Sequence, residues 1–242
     1  MIARTADRAL LIFETFAERL EPLTLSELSR AVQMPISTTA KLIKTLIARG
    51  YLYEVNCRKA YYPTSRWLQK AKLISSADRT VERFQPFLQE LRDETGETAL
   101  LAKRLGVQII YLGISESAKD IRYSGQVGDI KEFWRTASGP AMLAAMPLVA
   151  RLETIARLNE RQKMLASASD GSILASVNEG LTRKWWLRRG EGASDVMSIS
   201  STIEMDDPLA FVVVGPVSRI EPRLNEMVKT LLRVCAGADR MF

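Results

Sequence analysis

The sequence contains no histidine, and its only two cysteines, Cys57 and Cys235, lie far apart. Without imidazole the chain can form neither a Ser-His-Asp triad nor a Cys-His pair, and a zinc site would have two distant thiols at most. We therefore expect no metal and no cofactor. Enzymes that use carboxylates or lysines need no histidine, so catalysis is disfavoured but stays an alternative. The cysteines form neither a Cys-x-x-Cys motif nor a disulfide framework, which favours a reducing, cytoplasmic location.

Long apolar runs are also missing from the 242 residues. No run reaches the about 18 residues that cross a bilayer, and no basic-then-apolar segment opens the chain, so we expect neither a membrane span nor a secretory leader. Apolar residues make up 47% and charged residues 26% of the chain. This usage is that of ordinary globular proteins, and the length has room for one large domain or two ordinary ones.

Positive charge is concentrated near the start of the chain. Residues 1–72 contain 12 Lys and Arg against 6 Asp and Glu, whereas the remainder contains 22 of each sign, so the net charge of +6 belongs to residues 1–72. Such a segment favours a polyanionic partner, because each Lys or Arg that meets a phosphate releases condensed counterions. By charge alone the partner is DNA, RNA or an acidic membrane surface.

The residue pattern of this basic segment indicates a helix-turn-helix. Apolar residues at helical spacing predict a first helix over residues 5–18. Residues 24–27, Thr-Leu-Ser-Glu, form a capping box for a short second helix. Pro35 and Gly50 delimit a third helix over residues 36–49. Two short helices joined by a tight turn are the arrangement that places its second helix in a major groove.

The third predicted helix has one apolar face and one polar, basic face. The apolar face comprises Thr39, Leu42, Ile43, Leu46 and Ile47. Small hydroxyl side chains and lysines on the other face suit a major groove, with Ser and Thr near base edges and Lys on phosphates. The alternative is a solvated face of an ordinary helix. Our candidate DNA contacts in this helix are Ser37, Thr38, Thr39, Lys41, Lys44 and Thr45, with Thr39 also counted in the apolar face.

Two short alternating segments, residues 51–55 and 60–62, follow the third helix. They predict a β-hairpin with a basic tip, which is the wing of a winged helix-turn-helix. Arg58 and Lys59 at this tip are expected to reach backbone phosphates.

The neutral remainder changes from helical to strand-like periodicity and back. A helix that includes Pro86, tolerated only at a helix start or kink, ends at Gly96. We predict strands over residues 98–102, 107–114, 121–123, 196–203 and 209–214. We predict helices over residues 136–146, 148–164, 172–184 and 221–234. This order of strands, helices, strands and a helix predicts an α+β domain.

Motifs spread over more than 200 residues carry a family resemblance. The first part supplies Arg8-Ala9-Leu10, Leu25-Ser26-Glu27-Leu28, Pro35-Ile36-Ser37-Thr38, Leu42-Ile43-Lys44-Thr45-Leu46 and Arg49-Gly50-Tyr51-Leu52. The second part supplies Pro86-Phe87-Leu88-Gln89-Glu90-Leu91, Thr95-Gly96-Glu97-Thr98, Thr136-Ala137-Ser138-Gly139 and Val214-Gly215-Pro216-Val217-Ser218-Arg219-Ile220. In their order and spacing the sequence resembles the IclR family of transcriptional regulators.

The resemblance implies three regions. A winged helix-turn-helix DNA-binding domain is expected at 1–64, a helical linker at 65–78 and a GAF-like α+β effector-binding domain at 79–242. It also implies a homodimer or homotetramer on palindromic double-stranded operator DNA, acting as a repressor or an activator. The effector is expected to be a small organic acid that binds beside the sheet of the C-terminal domain.

The resemblance places the effector pocket at the start of the helix near Thr136. Backbone N–H groups of Ala137, Ser138 and Gly139 are expected to be unpaired there and to attract a carboxylate. A plain helix start capped by Thr136 fits the same residues without any ligand.

The strand over 196–203 supplies further pocket candidates. Ser198, Ser200 and Thr202 share one face by their period of two, and they are expected to line the same cavity unless this face is solvated. Other candidates are Val127, Gly128, Trp134, Arg188, Val212 and Val214. Arg188 falls in a predicted loop.

Several departures from the family pattern concern the ligand. Trp134 stands where a histidine is common, and Val212 and Val214 stand where serines occur. A pocket with this tryptophan, valines and a nearby arginine suits an aromatic or otherwise bulky acid. Residues 185–187, Trp-Trp-Leu, and the arginines can equally serve an oligomer interface or a solvated edge.

Two other functions stay open at this point. An enzyme acting on a small metabolite finds its only phosphate-loop hint in Gly190-x-Gly192, which lacks a third glycine. A winged helix that contacts proteins instead of DNA is the other alternative.

Overall fold

The computed structural model describes residues 3–55, 59–77, 79–165 and 173–241. The chain divides into two compact units, Met1–Asp78 and Arg79–Phe242, and each unit has its own buried core.

The N-terminal unit is a winged helix-turn-helix. Its helices are α1 (Arg4–Arg19), α2 (Leu25–Ala31), α3 (Ile36–Ala48) and α4 (Arg66–Ser75). Its strands are β1 (Leu23–Thr24), β2 (Leu52–Val55) and β3 (Ala60–Pro63), paired antiparallel in the order β1-β3-β2. The predicted helices and wing strands are confirmed. The core contains one or two apolar residues from each of the first three helices, among them Ile12, Phe16, Leu28 and Ile43.

Local hydrogen bonds explain where α2 begins and where it turns into α3. Thr24 N donates to Glu27 Oε2 at 2.7 Å, and Glu27 N donates to Thr24 Oγ1 at 3.3 Å, so the predicted capping box is confirmed. In the turn, Gln33 adopts a φ of +50° and Ser29 Oγ donates to the Met34 carbonyl at 2.5 Å. These bonds fix the direction in which α3 leaves the turn.

Helix α4 is attached to the N-terminal unit at its first turn. The Trp67 ring lies 4.6 Å from the Phe13 ring and 5.3 Å from the Tyr51 ring. Beyond this turn α4 has no buried residue, and Leu73 and Ile74 are 63% and 73% exposed. An amphipathic helix therefore leaves its apolar face uncovered by the described part of its own unit.

The C-terminal unit is an α+β domain with one antiparallel sheet. The strands are β4 (Thr98–Leu105), β5 (Gln108–Ser115), β6 (Ile130–Glu132), β7 (Trp186–Arg189), β8 (Val196–Ile203) and β9 (Leu209–Pro216), in the order β6-β5-β4-β9-β8-β7. The helices are α5 (Arg79–Thr95), α6 (Ser138–Ala144), α7 (Leu148–Met164), α8 (Ile173–Arg183), α9 (Val217–Ile220) and α10 (Leu224–Asp239). The α+β prediction is confirmed, and α5 continues through Pro86.

The two faces of this sheet carry separate apolar clusters. Helices α5 and α10 cover one face, which includes Phe211 and Val213. Helices α6, α7 and α8 cover the other, which includes Val212 and Val214. Alternation along β9 thus sends neighbouring valines to opposite layers, as period-two side-chain geometry requires.

One predicted strand is wrong, and one strand was missed. Residues 121–123 form no strand, because the carbonyl oxygens of Ile121 and Tyr123 accept hydrogen bonds from the Arg219 and Thr98 side chains. Residues 188 and 189 are not in a loop, because β7 pairs with the edge of β8, where Arg188 lies opposite Ser198.

A buried carboxylate joins the two central strands to their surroundings. Glu97, fully buried just before β4, accepts hydrogen bonds from Arg219 Nε and Nη2 at 2.6 and 2.8 Å, and from Lys119 Nζ at 2.9 Å. Burial alone would raise the pKa of Glu97, but these two cations outweigh it and lower the pKa below its usual value. Gly215 leaves the necessary room, because a Cβ there would lie 2.3 Å from Glu97 Oε2.

Arg219→Ala should lower the free energy of unfolding of the C-terminal unit by about 3 kcal/mol at neutral pH, because it leaves a buried carboxylate with one cation. Since the folded pKa of Glu97 is lowered, the difference from wild type is present above the ordinary glutamate pKa and is lost as the pH falls through the folded value. Urea unfolding at several pH values measures both effects. Arg233→Ala, which breaks exposed pairs with Glu90 and Glu94, should cost about 1 kcal/mol or less; equal losses would contradict the prediction.

Candidate DNA-binding surface and effector site

The outer face of α3 is polar, basic and accessible. Ser37, Lys41, Lys44 and Thr45 are exposed, and Thr38 is half-buried. Thr45 Oγ1 donates to the Lys41 carbonyl at 2.9 Å. The spacing of these residues, one helical turn apart, places them along one stripe.

Thr39 is a correction to the predicted DNA contacts. Its side chain is fully buried, and its Oγ1 donates to the Pro35 carbonyl at 3.1 Å. The hydroxyl therefore satisfies the first turn of α3 inside the core, and Thr39 belongs to the apolar face alone.

The wing consists of β2 and β3. Tyr53 lies opposite Tyr62 and Val55 opposite Ala60. Lys59, with a φ of +50°, is exposed in the turn before β3, whereas Arg58 lies outside the described residues.

The predicted pocket face of the C-terminal sheet is buried beneath α6. Ser198 lies directly opposite Val214, and Ser200 lies opposite Val212, so the four side chains form one patch across β8 and β9. All four are fully buried, which rules out a solvated strand face. Ser200 Oγ donates to the Phe211 carbonyl at 2.9 Å.

A carboxylate from the chain itself lies on this patch. Glu191, which is 2% exposed, accepts hydrogen bonds from Tyr111 Oη at 2.5 Å, from Ser198 Oγ and from the backbone N–H of Ala137. These three donors are uncharged and come from three separate parts of the chain.

The expectation of unpaired N–H groups at residues 137–139 was wrong for two of the three. The Ala137 N–H is taken by Glu191. The Gly139 N–H donates to Thr136 Oγ1 at 3.0 Å, and Ser138 Oγ donates to the same oxygen at 3.2 Å. At the start of α6, Thr136 therefore accepts from the Gly139 N–H and the distant Glu191 carboxylate accepts from the Ala137 N–H.

A small cavity of about 20 Å³ adjoins this patch, and Trp134, Pro140 and Arg188 are among its lining residues. The Trp134 indole Nε1 is buried, and no described residue accepts a hydrogen bond from it. Such a volume holds about one water molecule. The cavity is thus polar enough for a ligand and too small for one as it stands.

Three predicted pocket residues lie elsewhere. Thr202 lines a different groove of about 470 Å³ together with Lys184, Cys235 and Asp239. Val127 is 65% exposed in a surface turn. Gly128 serves the backbone of that turn, since it has a φ of +93° and its N–H donates to the Tyr111 carbonyl.

The environment of Glu191 shifts two acidities. Burial raises the pKa of Glu191, and the hydrogen bonds from Ser198, Tyr111 and Ala137 only partly offset this effect. Burial and the neighbouring Glu191 carboxylate raise the pKa of Tyr111 well above its usual value. The site therefore disfavours the charged form of the carboxylate that it holds.

Comparison with known families agrees with this architecture. The family described as the IclR helix-turn-helix domain matches residues 5–55, and the one described as the bacterial transcriptional regulator IclR C-terminal matches residues 72–238. The chain belongs to the IclR family of transcriptional regulators. As an IclR-family regulator it has a DNA-binding helix-turn-helix and an effector-binding, GAF-like C-terminal domain.

Individual regulatory proteins resemble the chain over most of its length. It is 24% identical to "Probable transcriptional regulator SauR" of Cupriavidus necator, over 93% of this chain and 96% of that protein. It is 25% identical to the Pca regulon regulatory protein of Pseudomonas putida, over 81% and 67%. The crystal structure of an IclR-family regulator from Brucella abortus matches with a TM-score of 0.77 and 20% identity, over 100% and 94%. The family and these relatives are regulators, not enzymes.

No described helix is both long and apolar enough to cross a membrane. No group of three or more Cys, Asp or Glu among the described residues is arranged to hold a metal ion.

Tyr111 and Glu191 are site residues that the sequence reasoning missed. Glu191 lies between Gly190 and Gly192, the pair that hints at a phosphate loop. An acidic residue at this position would repel a phosphate, and this was the signal available in the sequence. Tyr111 lies at an alternating position of β5 and gives no such signal.

Tyr111→Phe should lower the free energy of unfolding by about 2 kcal/mol at pH 8, because it removes one hydrogen bond from a buried carboxylate. Because the folded pKa of Glu191 is raised, the carboxylate becomes protonated as the pH falls through that value, and the loss should shrink. Thermal or urea unfolding across pH measures this. Tyr53→Phe, a half-exposed wing residue, is the control with a change within about 0.5 kcal/mol; a pH-independent loss for Tyr111→Phe would argue against a charged partner.

Proposed function

We propose that this IclR-family regulator binds a palindromic operator as a dimer or tetramer and that a small organic acid in the C-terminal domain controls its affinity for DNA. The observation that carries the DNA part is the exposed stripe of hydroxyl groups and lysines on α3, which lies within residues 1–72, the segment that carries the net charge of the chain. Ser37 and Thr38 would contact base edges, and Lys41 and Lys44 phosphates. Thr45 adds to the same stripe.

The wing would contact the backbone beside the groove. Lys59 is exposed at its tip, and Arg58 precedes it in the sequence. A basic wing adds affinity without base specificity, because phosphate contacts carry no sequence information.

The patch beneath α6 is the proposed effector site. Ser198, the Ala137 N–H and Tyr111 supply hydrogen-bond donors for a carboxylate, and the buried Trp134 indole supplies another donor without a described acceptor. Ser138, Gly139, Ser200, Val212, Val214 and Arg188 surround these donors. The valines and the tryptophan favour an aromatic or otherwise bulky acid over a very polar one.

Dimer formation is supported by α4. Its exposed apolar residues need a partner, and a palindromic operator presents half-sites about 34 Å or a multiple of that apart, which one recognition helix cannot fill. Leu73→Lys should therefore shift the assembly toward monomer in analytical ultracentrifugation, whereas Lys72→Leu on the same helix should leave it unchanged. An unchanged sedimentation coefficient for Leu73→Lys would place the interface elsewhere.

A mobility shift on the DNA upstream of the protein's own gene tests the proposal as a whole. A complex that survives random competitor DNA at physiological salt supports operator binding, and aromatic and aliphatic acids are then titrated for release or enhancement. Loss of the complex to random competitor would leave a basic surface only, and the protein-contacting winged helix would become the better interpretation.

Three variants of α3 separate the roles of its residues. Lys44→Ala should weaken binding to operator and random DNA alike and reduce the slope of log K against log salt by about 1. Thr38→Ala should act mainly on specificity. Thr39→Val, which keeps the shape of a buried side chain, should leave the affinity unchanged. Fluorescence anisotropy on both DNAs at several salt concentrations measures this, and equal losses for Lys44→Ala and Thr38→Ala would refute the division.

A further inference from the structure

We infer that Glu191 is an intramolecular ligand of the effector site: its carboxylate holds the donors that recognise an acid, and an effector binds by displacing it. The inference rests on the proposed function, since it takes the patch beneath α6 as the effector site. In the structure, the chain's own Glu191 carboxylate occupies this proposed site.

The donors that hold Glu191 are among those expected to recognise an acid. Glu191 is bound by Ser198, the Ala137 N–H and Tyr111. The family resemblance places the Ala137 N–H in the effector pocket, and Ser198 is expected to line the same cavity. A side chain that binds the predicted ligand residues through a carboxylate does what the predicted ligand would do.

The site has little free space. The cavity lined by Trp134 and Arg188 has a volume of about 20 Å³; Glu191 is not among its lining residues, but Ser198, which binds Glu191, lies opposite Arg188 in the sheet. An organic acid with even a few carbon atoms needs several times the volume of one water molecule. Some group must therefore leave before an acid can enter, and Glu191 is the one whose chemistry the acid would replace.

The loop that carries Glu191 can change its conformation at two glycines. Glu191 lies in the connection 190–195 between β7 and β8, and it is buried while the residues on either side of it are exposed. Gly190 and Gly192 flank it with φ values of +78° and +85°, and a Cβ at either position would meet no atom within 4 Å. Glycines pass between positive and negative φ at little cost, so the side chain can leave the site while the paired parts of β7 and β8 stay in place.

Within the described residues, Glu191 is held by hydrogen bonds and not by an ion pair. The hydrogen bonds described to it come from uncharged groups, in contrast to those of Glu97, and burial raises the pKa of Glu191. A carboxylate held in this way recovers hydration when it leaves. The groove outside the loop is lined by Arg135 and by Arg189, which is paired with Glu221; Arg135 is thus the cation that a displaced carboxylate would meet there.

The expected consequence is a reduced apparent affinity for acids. If the site is open in about one molecule in ten, the apparent Kd is about tenfold higher than the intrinsic Kd. Removing the Glu191 carboxylate, which competes with the acid for the same donors, should bring the apparent Kd down to the intrinsic Kd.

The test uses acetate and benzoate as probes on the full-length protein without DNA. Isothermal titration calorimetry, with thermal shift as a second readout, compares wild type, Glu191→Ala and Asp195→Ala. Glu191→Ala should bind at least one probe about tenfold or more tightly than wild type. Asp195→Ala removes an exposed carboxylate from the same loop and should behave like wild type. Acetate should also raise the melting temperature of Glu191→Ala more than that of wild type.

The outcomes separate this inference from the proposed function. Equal probe affinities for wild type and Glu191→Ala would overturn the inference, and so would tighter binding by Asp195→Ala to the same extent. If organic acids release wild type from its operator but Glu191→Ala gains no affinity for the probes, the inference fails and the regulator proposal stands. If no operator complex forms, the proposed function fails, whatever the probes show.

A second variant covers the case in which Glu191→Ala does not fold. Glu191→Gln keeps the side-chain shape but replaces one acceptor oxygen with an NH2 group, which cannot accept from Tyr111 or Ser198, so the side chain is held less tightly and probe affinity should rise above that of wild type. Gly192→Ala, which is strained at a φ of +85°, should raise it as well. No gain in either folded variant would overturn the inference.

Discussion

The architecture of the C-terminal unit depends on the ion pairs of Glu97. This carboxylate lies where β4 begins, and Arg219 reaches it from α9, just after β9, while Lys119 reaches it from the loop after β5. Strands β4 and β9 are the two central strands of the sheet. Because side chains alternate along each strand, a slip of one residue between them would exchange the two faces. The pairs oppose such a slip, and so help keep Val212 and Val214 in the layer beneath α6.

The N-terminal unit could be predicted almost residue by residue because its signals are local. The capping box at 24–27, Pro35 and Gly50 each act on backbone groups within about four residues, and each has a specific backbone consequence. Thr39 was the exception. Its spacing predicts the apolar face of α3, whereas its hydroxyl group suggests a DNA contact. In the structure the hydroxyl donates to the Pro35 carbonyl, so Thr39 lies in the core.

The effector site could not be predicted in the same way, because its partners are distant in the sequence. Tyr111 and Glu191 are 80 residues apart, and only the folded sheet brings them together. The same reason explains the helix start at residues 137–139. Its residue types were identified correctly, but the acceptor of the Ala137 N–H comes from a loop that follows two further helices. Strand β7 was missed because the glycines of the connection between β7 and β8, Gly190 and Gly192, suggest a phosphate loop as readily as a turn between paired strands.

The two buried glutamates, Glu97 and Glu191, lie in opposite electrostatic environments. Cations stabilise the charged form of Glu97, whereas burial disfavours the charged form of Glu191. In the language of energy landscapes, the first is consistent with the fold and the second is a point of local frustration. Frustrated sites are sites at which stability and function make different demands on one residue. An apolar residue of similar volume at position 191 would avoid burying a carboxylate, but it would leave Tyr111 and Ser198 without this acceptor, and it would remove the group whose departure is proposed to open the site.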